Sequence, residues 1–235
     1  MEIPLNFVYL VAIMPMVIIW LVLFFLRKDL RKEIWIISIY MAFLSVVTAH
    51  YWWTIDWWQP LTIWGTRVGI EDFILGFFAG GLMTALYEVI FKKRLYKRKG
   101  NFHENRGLVL ILLLVLLMSW LFWGIGLTSF VSSSISMLIV SILMIIKRKD
   151  LFFDALGSGV LVTIASLPSY YLAMFVNSEW IDATYPMLSG IRITGIPVEE
   201  LIFWFIAGFL FGPFYEYWQG KRLRKISNSS SNFVH

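Results

Sequence analysis

The chain has 235 residues, 59% hydrophobic and 18% aromatic, with only 15% charged. A soluble domain is about half apolar and about a quarter charged, so this composition excludes an ordinary soluble domain. There is no cysteine, which excludes disulfides and thiolate metal sites. The net charge of +5 is gathered in short clusters, a pattern of membrane borders and not of a nucleic-acid face.

A helix spanning a bilayer needs about 20 apolar residues. Seven runs fit: 5–26, 33–50, 70–91, 107–127, 129–146, 154–176 and 197–219. The first lacks a preceding basic region and is followed by Arg27 and Lys28, so it reads as a span and not as a cleavable signal peptide. The apolar stretch 107–146 is too long for one span and breaks around Gly124, Gly126 and Ser129, where small residues suit a tight turn. Eighteen of the twenty Lys and Arg residues lie at 27–32, 92–106, 147–149 and 221–225. With seven spans these segments share one side. The positive-inside rule then places the N-terminus outside and the C-terminus in the cytoplasm of a multi-pass cell-membrane protein. The Ser/Asn-rich tail Ser227–His235 is expected to be disordered.

The sequence repeats itself. A slide of 128 residues lays Thr66–Leu95 over Thr194–Leu223 without a gap, and 12 of 30 positions are identical. Matches include Glu71/Glu199, Gly80/Gly208, Tyr87/Tyr215 and Glu88/Glu216, with Asp72/Glu200 a conservative pair. A slide of 121 lays Arg27-Lys28-Asp29-Leu30 over Arg148-Lys149-Asp150-Leu151. The expected fold is all-α: a polytopic bundle of seven spans, in which two parallel three-helix repeats are joined by a fourth helix. Its parts are a first repeat over 1–106, a linking helix over 107–128, a second repeat over 129–226 and a tail over 227–235. The extra helix restores orientation, so both copies run the same way, and sites in such repeats form between the halves.

Arg67 and Arg192 are the two cations outside the clusters, and each precedes an acidic pair, Glu71-Asp72 or Glu199-Glu200. Pro197 reads as a first helical residue, and acids in a first turn suit the helix dipole. Intramembrane acids are nonetheless costly and tend to be functional. Two neighbouring carboxyls do not readily both ionise, which leaves one to hold a proton as a general acid. Each Arg is expected to partner one acid of its pair. Glu88 and Glu216 lie 17 residues further on, about 25 Å along the helix. They read as structural acids near the interface, Glu88 paired with Lys92 one turn on.

Other patterns carry less. No span contains the Lys that a retinal Schiff base requires. Gly157-Ser158-Gly159 and the spacings Gly76/Gly80 and Gly208/Gly212 read as helix-packing surfaces. The three His residues show no metal spacing, and no metal or cofactor is expected. His50, Trp52 and Trp204 stand where they could line a site beside the acids. Tyr51-Trp52-Trp53 and Trp57-Trp58 read as an interfacial aromatic belt, or as a wall able to stack on a polyene and stabilise a cation. Tyr170, Trp180 and Tyr185 could serve in the second repeat.

Pro197-Val198-Glu199-Glu200, opening an aromatic-rich helix that ends Tyr215-Glu216-Tyr217, resembles the motif of the non-flavin lycopene cyclases in their tandem, fused form. The first repeat departs from it, with Gly69-Ile70-Glu71-Asp72 carrying Gly in place of Pro. The resemblance implies a membrane enzyme, an intramolecular lyase or isomerase of carotenoid biosynthesis. It would close the ends of a lycopene-like polyene taken from the bilayer by acid-initiated, non-redox chemistry. Glu199 and Glu200 would be catalytic, with Glu71 and Asp72 contributing, and Arg67, Arg192, Trp204, His50 and Trp52 would hold substrate. Membrane lipid and a second copy of the chain are the other expected partners. A carotenoid hydratase, which captures the same cation with water, and a non-catalytic lipid binder or transporter remain alternatives.

Overall fold

The computed structural model describes residues 3–97, 106–185 and 188–225; the tail Ser227–His235 lies outside them. Among the described residues, seven helices are long and apolar enough to cross a membrane: α1 (Leu5–Leu26), α2 (Arg31–Asp56), α3 (Ile70–Ile90), α4 (Arg106–Ile125), α5 (Ser129–Lys147), α6 (Lys149–Val176) and α7 (Val198–Gln219). Many large apolar side chains are left exposed, among them Phe25, Phe43, Leu116, Ile142 and Phe175. Such an outer surface belongs against lipid, where the backbone must satisfy its own hydrogen bonds as helix.

The long apolar stretch breaks where small residues permit it. Gly126 adopts the left-handed conformation at φ 83° and ends α4. The Thr128 side chain accepts from Val131 N and starts α5. Helix α7 is interrupted at Gly212-Pro213, because Pro lacks the N–H that would continue the ladder. Helix α2 instead ends in a π-helical turn, Ala49–Trp53, which carries its aromatic residues.

The two repeats build the same thing. In each, the second and third helices pack tightly and the first leans on the third. Glycine sets the approach. A side chain at Gly76 would meet Met41 O at 2.6 Å, and one at Gly208 would meet Ser158 O at 2.8 Å. Gly157 lies against the Tyr87 ring and Gly159 against Phe205. Small residues here let the backbones come together, which is the main source of helix association in lipid.

The basic end repeats atom by atom. Arg27 grips Asp29 at 2.9 Å and donates to the carbonyls of Glu88 and Lys93. Arg148 grips Asp150 at 2.8 Å and donates to those of Glu216 and Lys221. Each clamp closes the carbonyl end of a third helix onto the turn between the first two. Beyond them, β1 (Lys93–Lys97) and β4 (Lys221–Lys225) form an antiparallel ribbon, a small departure from an all-helical chain. Its register puts Leu95 opposite Leu223, a residue opposite its own copy, so the pseudo-two-fold axis passes through that pair. A second ribbon, β2 (Arg192–Ile193) with β3 (Ile196–Pro197), precedes α7. Pro197 is held extended there and caps α7, so the helix begins at Val198, one residue after the expected start.

Two tests follow from this packing. Gly76→Val should lower stability by about 1–3 kcal/mol through overpacking, read as thermal unfolding in detergent. The Arg27 guanidinium holds the Asp29 carboxyl below its ordinary range. A depressed folded-state value means that this clamp stabilises at neutral pH and fades as pH falls through that lowered range. The acid limb of the melting curve should therefore flatten in Asp29→Asn.

Candidate active site

At the end opposite the basic clamps, the first turns of α3 and α7 bring in the four outer acids, all buried. The two members of each pair go different ways. Glu71 turns back to its own loop, where Oε1 accepts from Ile63 N at 2.7 Å. Glu199 does the same with Ser189 N at 2.8 Å. These are copied loop anchors. Asp72 and Glu200, next in sequence and rotated about 100° around the helix, instead face a cavity between the two halves.

That cavity comprises about 1120 Å³ of empty space, part of it open to the outside, and is walled by residues of every span. Its walls are aromatic and Met-rich. Trp57 and Phe203 meet at 4.7 Å between ring centroids, Tyr9 and Trp58 at 5.2 Å, and Trp58 and Trp180 at 5.9 Å. Met16, Met41, Met83, Met118 and Met137 line it as well. Flexible, polarisable methionines and flat rings suit a long apolar molecule with several accessible poses.

The two facing acids are held differently. Asp72 Oδ1 accepts from Tyr9 Oη at 3.0 Å and from Trp58 Nε1 at 3.4 Å, and Oδ2 accepts from Gly69 N at 2.8 Å. Three donors converge on it, and hydrogen bonds of this kind favour the charged form of a carboxyl. Glu200 Oε2 accepts from Tyr170 Oη, which in turn accepts from Trp204 Nε1 at 2.8 Å. Glu200 Oε1 has no hydrogen-bond partner. Tyr185 and Trp57 are its other polar neighbours, and the polar hydrogens of both are unused. Burial and the nearby Glu200 push the Tyr185 hydroxyl well above the ordinary phenol value, so it stays a proton donor.

The Gly-for-Pro departure has a direct physical reading. Gly69 donates its backbone N–H to Asp72. Pro197, at the equivalent position, has no N–H to give. Gly69 also sits at φ −117°, outside the range of a proline ring. A side chain there would run into Glu71 Oε2 and crowd Thr62 at 2.9 Å.

Of the remaining expected site residues, Arg67, Arg192, His50 and Trp52 fall outside the cavity. Arg67 donates to the His50 carbonyl at 2.7 Å, and the His50 ring packs edge-on to Tyr51. Arg192 pairs with Asp182. The expected Arg–carboxylate pairing is therefore replaced: both guanidiniums are exposed, while the acids are buried and take other donors, backbone N–H groups for Glu71, Asp72 and Glu199 and the Tyr170 hydroxyl for Glu200. Trp52 is buried but does not line the cavity, whereas Trp204 does. Tyr9 was not singled out from the sequence. The available signal was a tyrosine hydroxyl within an otherwise apolar first span.

The loop anchors carry a prediction. Glu71→Ala and Glu199→Ala should each remove the hydrogen bond that anchors a loop N–H and lower stability by about 0.5–1.5 kcal/mol, measured by thermal unfolding. Fast limited proteolysis in the preceding loop should accompany the loss.

A family model described as lycopene cyclase matches residues 6–90 and 128–218, one segment in each repeat. No curated protein and no solved structure gives a match. The chain belongs to the lycopene cyclase family, in a tandem two-part form.

Proposed function

We propose that the cavity closes the ends of a linear, lycopene-like carotenoid by proton transfer, with Glu200 as the acid and Asp72 as the base. The observation that carries this assignment is the unequal hydrogen bonding of two carboxyls facing one apolar cavity. Asp72 accepts three hydrogen bonds and suits the ionised form. Glu200 accepts one hydrogen bond, has its other oxygen without a partner and suits the protonated form.

In this reading the Glu200 carboxyl gives its proton to the terminal double bond of the polyene. The next double bond attacks the resulting cation, and a ring carbon–carbon bond forms. A neighbouring C–H then loses its proton to Asp72. One proton enters and one leaves, so the product is an isomer of the substrate and no electron carrier is consumed. Tyr170, with Tyr185 and Trp57 beside it, stabilises the carboxylate that Glu200 becomes, as donors placed in advance where charge develops. The faces of Trp58, Trp57 and Phe203 stabilise the transient cation. Glu71 and Glu199 hold the loops that cover the cavity, and Arg67 and Arg192 fasten those loops from outside. The orientation that fits the charge clusters puts the basic end in the cytoplasm, with the cavity toward the outer leaflet.

The test is expression in a lycopene-accumulating host with pigment analysis. Cyclic products are expected from the wild type. Glu200→Gln and Asp72→Asn should each lower their formation by about 100- to 10,000-fold, the range for a lost general acid or base. Glu71→Gln and Glu199→Gln, at matched protein levels, should retain most of it. Unchanged lycopene would sink the proposal. Hydroxylated acyclic products would replace it with hydration, and full activity in Glu200→Gln would remove Glu200 as the acid.

A further inference from the structure

A second set of carboxyls lies at the other end of the bundle. Glu33 of α2, Glu88 of α3, Asp154 of α6 and Glu216 of α7 are each between 0% and 3% exposed. The two slides of the sequence relate them as copies: 121 residues take Glu33 to Asp154, and 128 take Glu88 to Glu216. The quartet therefore gathers about the pseudo-two-fold axis, with two acids from each half. Glu88 does not make the expected surface pair with Lys92; it is turned inward.

Few donors reach this group. Thr84 Oγ1 donates to Glu33 Oε1 at 2.9 Å, and Ser158 Oγ donates to Asp154 Oδ1 at 3.2 Å. Both oxygens of Glu88, both of Glu216, Glu33 Oε2 and Asp154 Oδ2 are buried without a hydrogen-bond partner. The cations nearest the group are committed elsewhere. Lys93 and Lys221 bond to the hydroxyls of Tyr87 and Tyr215, and Arg148 is held by Asp150 and two backbone carbonyls. Buried carboxyls with so few donors require protons or a cation.

One oxygen each from Glu33, Glu88 and Glu216 lie within 4.8 Å of one another. Oxygens that share one hard divalent ion are separated by at most twice the metal–oxygen distance, about 4–5 Å. We propose that Glu33, Glu88 and Glu216, with Asp154 beside them, form a divalent-cation site on the pseudo-two-fold axis that ties the two repeats together. All-oxygen donors select a hard ion of the Ca²⁺, Mn²⁺ or Mg²⁺ class. The site is at the opposite end of α3 and α7 from Asp72 and Glu200, so its role is to hold the halves in register.

The test uses the full-length protein, purified in detergent, stripped with EDTA and freed of any affinity tag. Mn²⁺ alone is the probe, followed by electron paramagnetic resonance and by thermal unfolding. One Mn²⁺ per chain at micromolar concentration is expected, displaced by excess Mg²⁺, with a melting temperature several degrees above the stripped protein. Glu88→Gln and Glu216→Gln should each weaken uptake at least tenfold, while Glu200→Gln, in the cavity, should leave it intact. Wild-type uptake below one ion per chain up to millimolar Mn²⁺, with no change in melting temperature, would overturn the proposal in favour of acids that share protons. Equal uptake by the wild type and folded Glu88→Gln and Glu216→Gln would also overturn it. The wild-type stoichiometry decides alone should those variants fail to fold.

Discussion

A carboxyl group inside an apolar bundle must be given donors, a proton or a cation, since no water shares its charge. This constraint organises the protein at both ends of α3 and α7. One backbone N–H serves a single oxygen of Glu71, another a single oxygen of Glu199, and the two bonds fasten two loops. Tyr9, Trp58 and Gly69 serve Asp72. Tyr170 serves only half of Glu200. Each solution leaves its acid with a different chemical capacity, although the four share a first-turn position on two copies of one helix.

Duplication supplies the geometry, and the two copies differ at the cavity. The basic clamps are repeated bond for bond, and the ribbon pairs Leu95 with its own copy Leu223. Those parts carry structure and tolerate symmetry. The cavity does not. Exchanging an N–H for a proline ring at one position changes how many donors a neighbouring carboxyl receives. That difference separates a base from an acid in the proposed reaction. An acid and a base on opposite walls are what ring closure requires, and two identical halves would offer two groups of the same kind.

The close crossing of α2 with α3, and of α6 with α7, makes the arrangement rigid. Gly76 and Gly208 let backbones approach until a methyl group would collide. Such packing fixes the rotation of α3 and α7 about their axes. Rotation decides which acid of an adjacent pair faces the cavity and which faces the loop.

The sequence by itself determined the seven spans, the duplication and the family, because hydropathy, repeat spacing and a short motif are local properties of a chain. It also located the acidic pairs, since ionisable groups inside apolar runs stand out. Only the tertiary structure separated Asp72 and Glu200 from Glu71 and Glu199, because neighbours one residue apart differ by a helical rotation that has meaning only against a packed partner. Only it moved Arg67, Arg192 and His50 to the rim, where exposed guanidiniums found other acceptors. Tyr9 and the quartet of Glu33, Glu88, Asp154 and Glu216 also became visible only there. Residues up to 183 positions apart in the chain meet when two copies close around one axis, and no local pattern records that meeting.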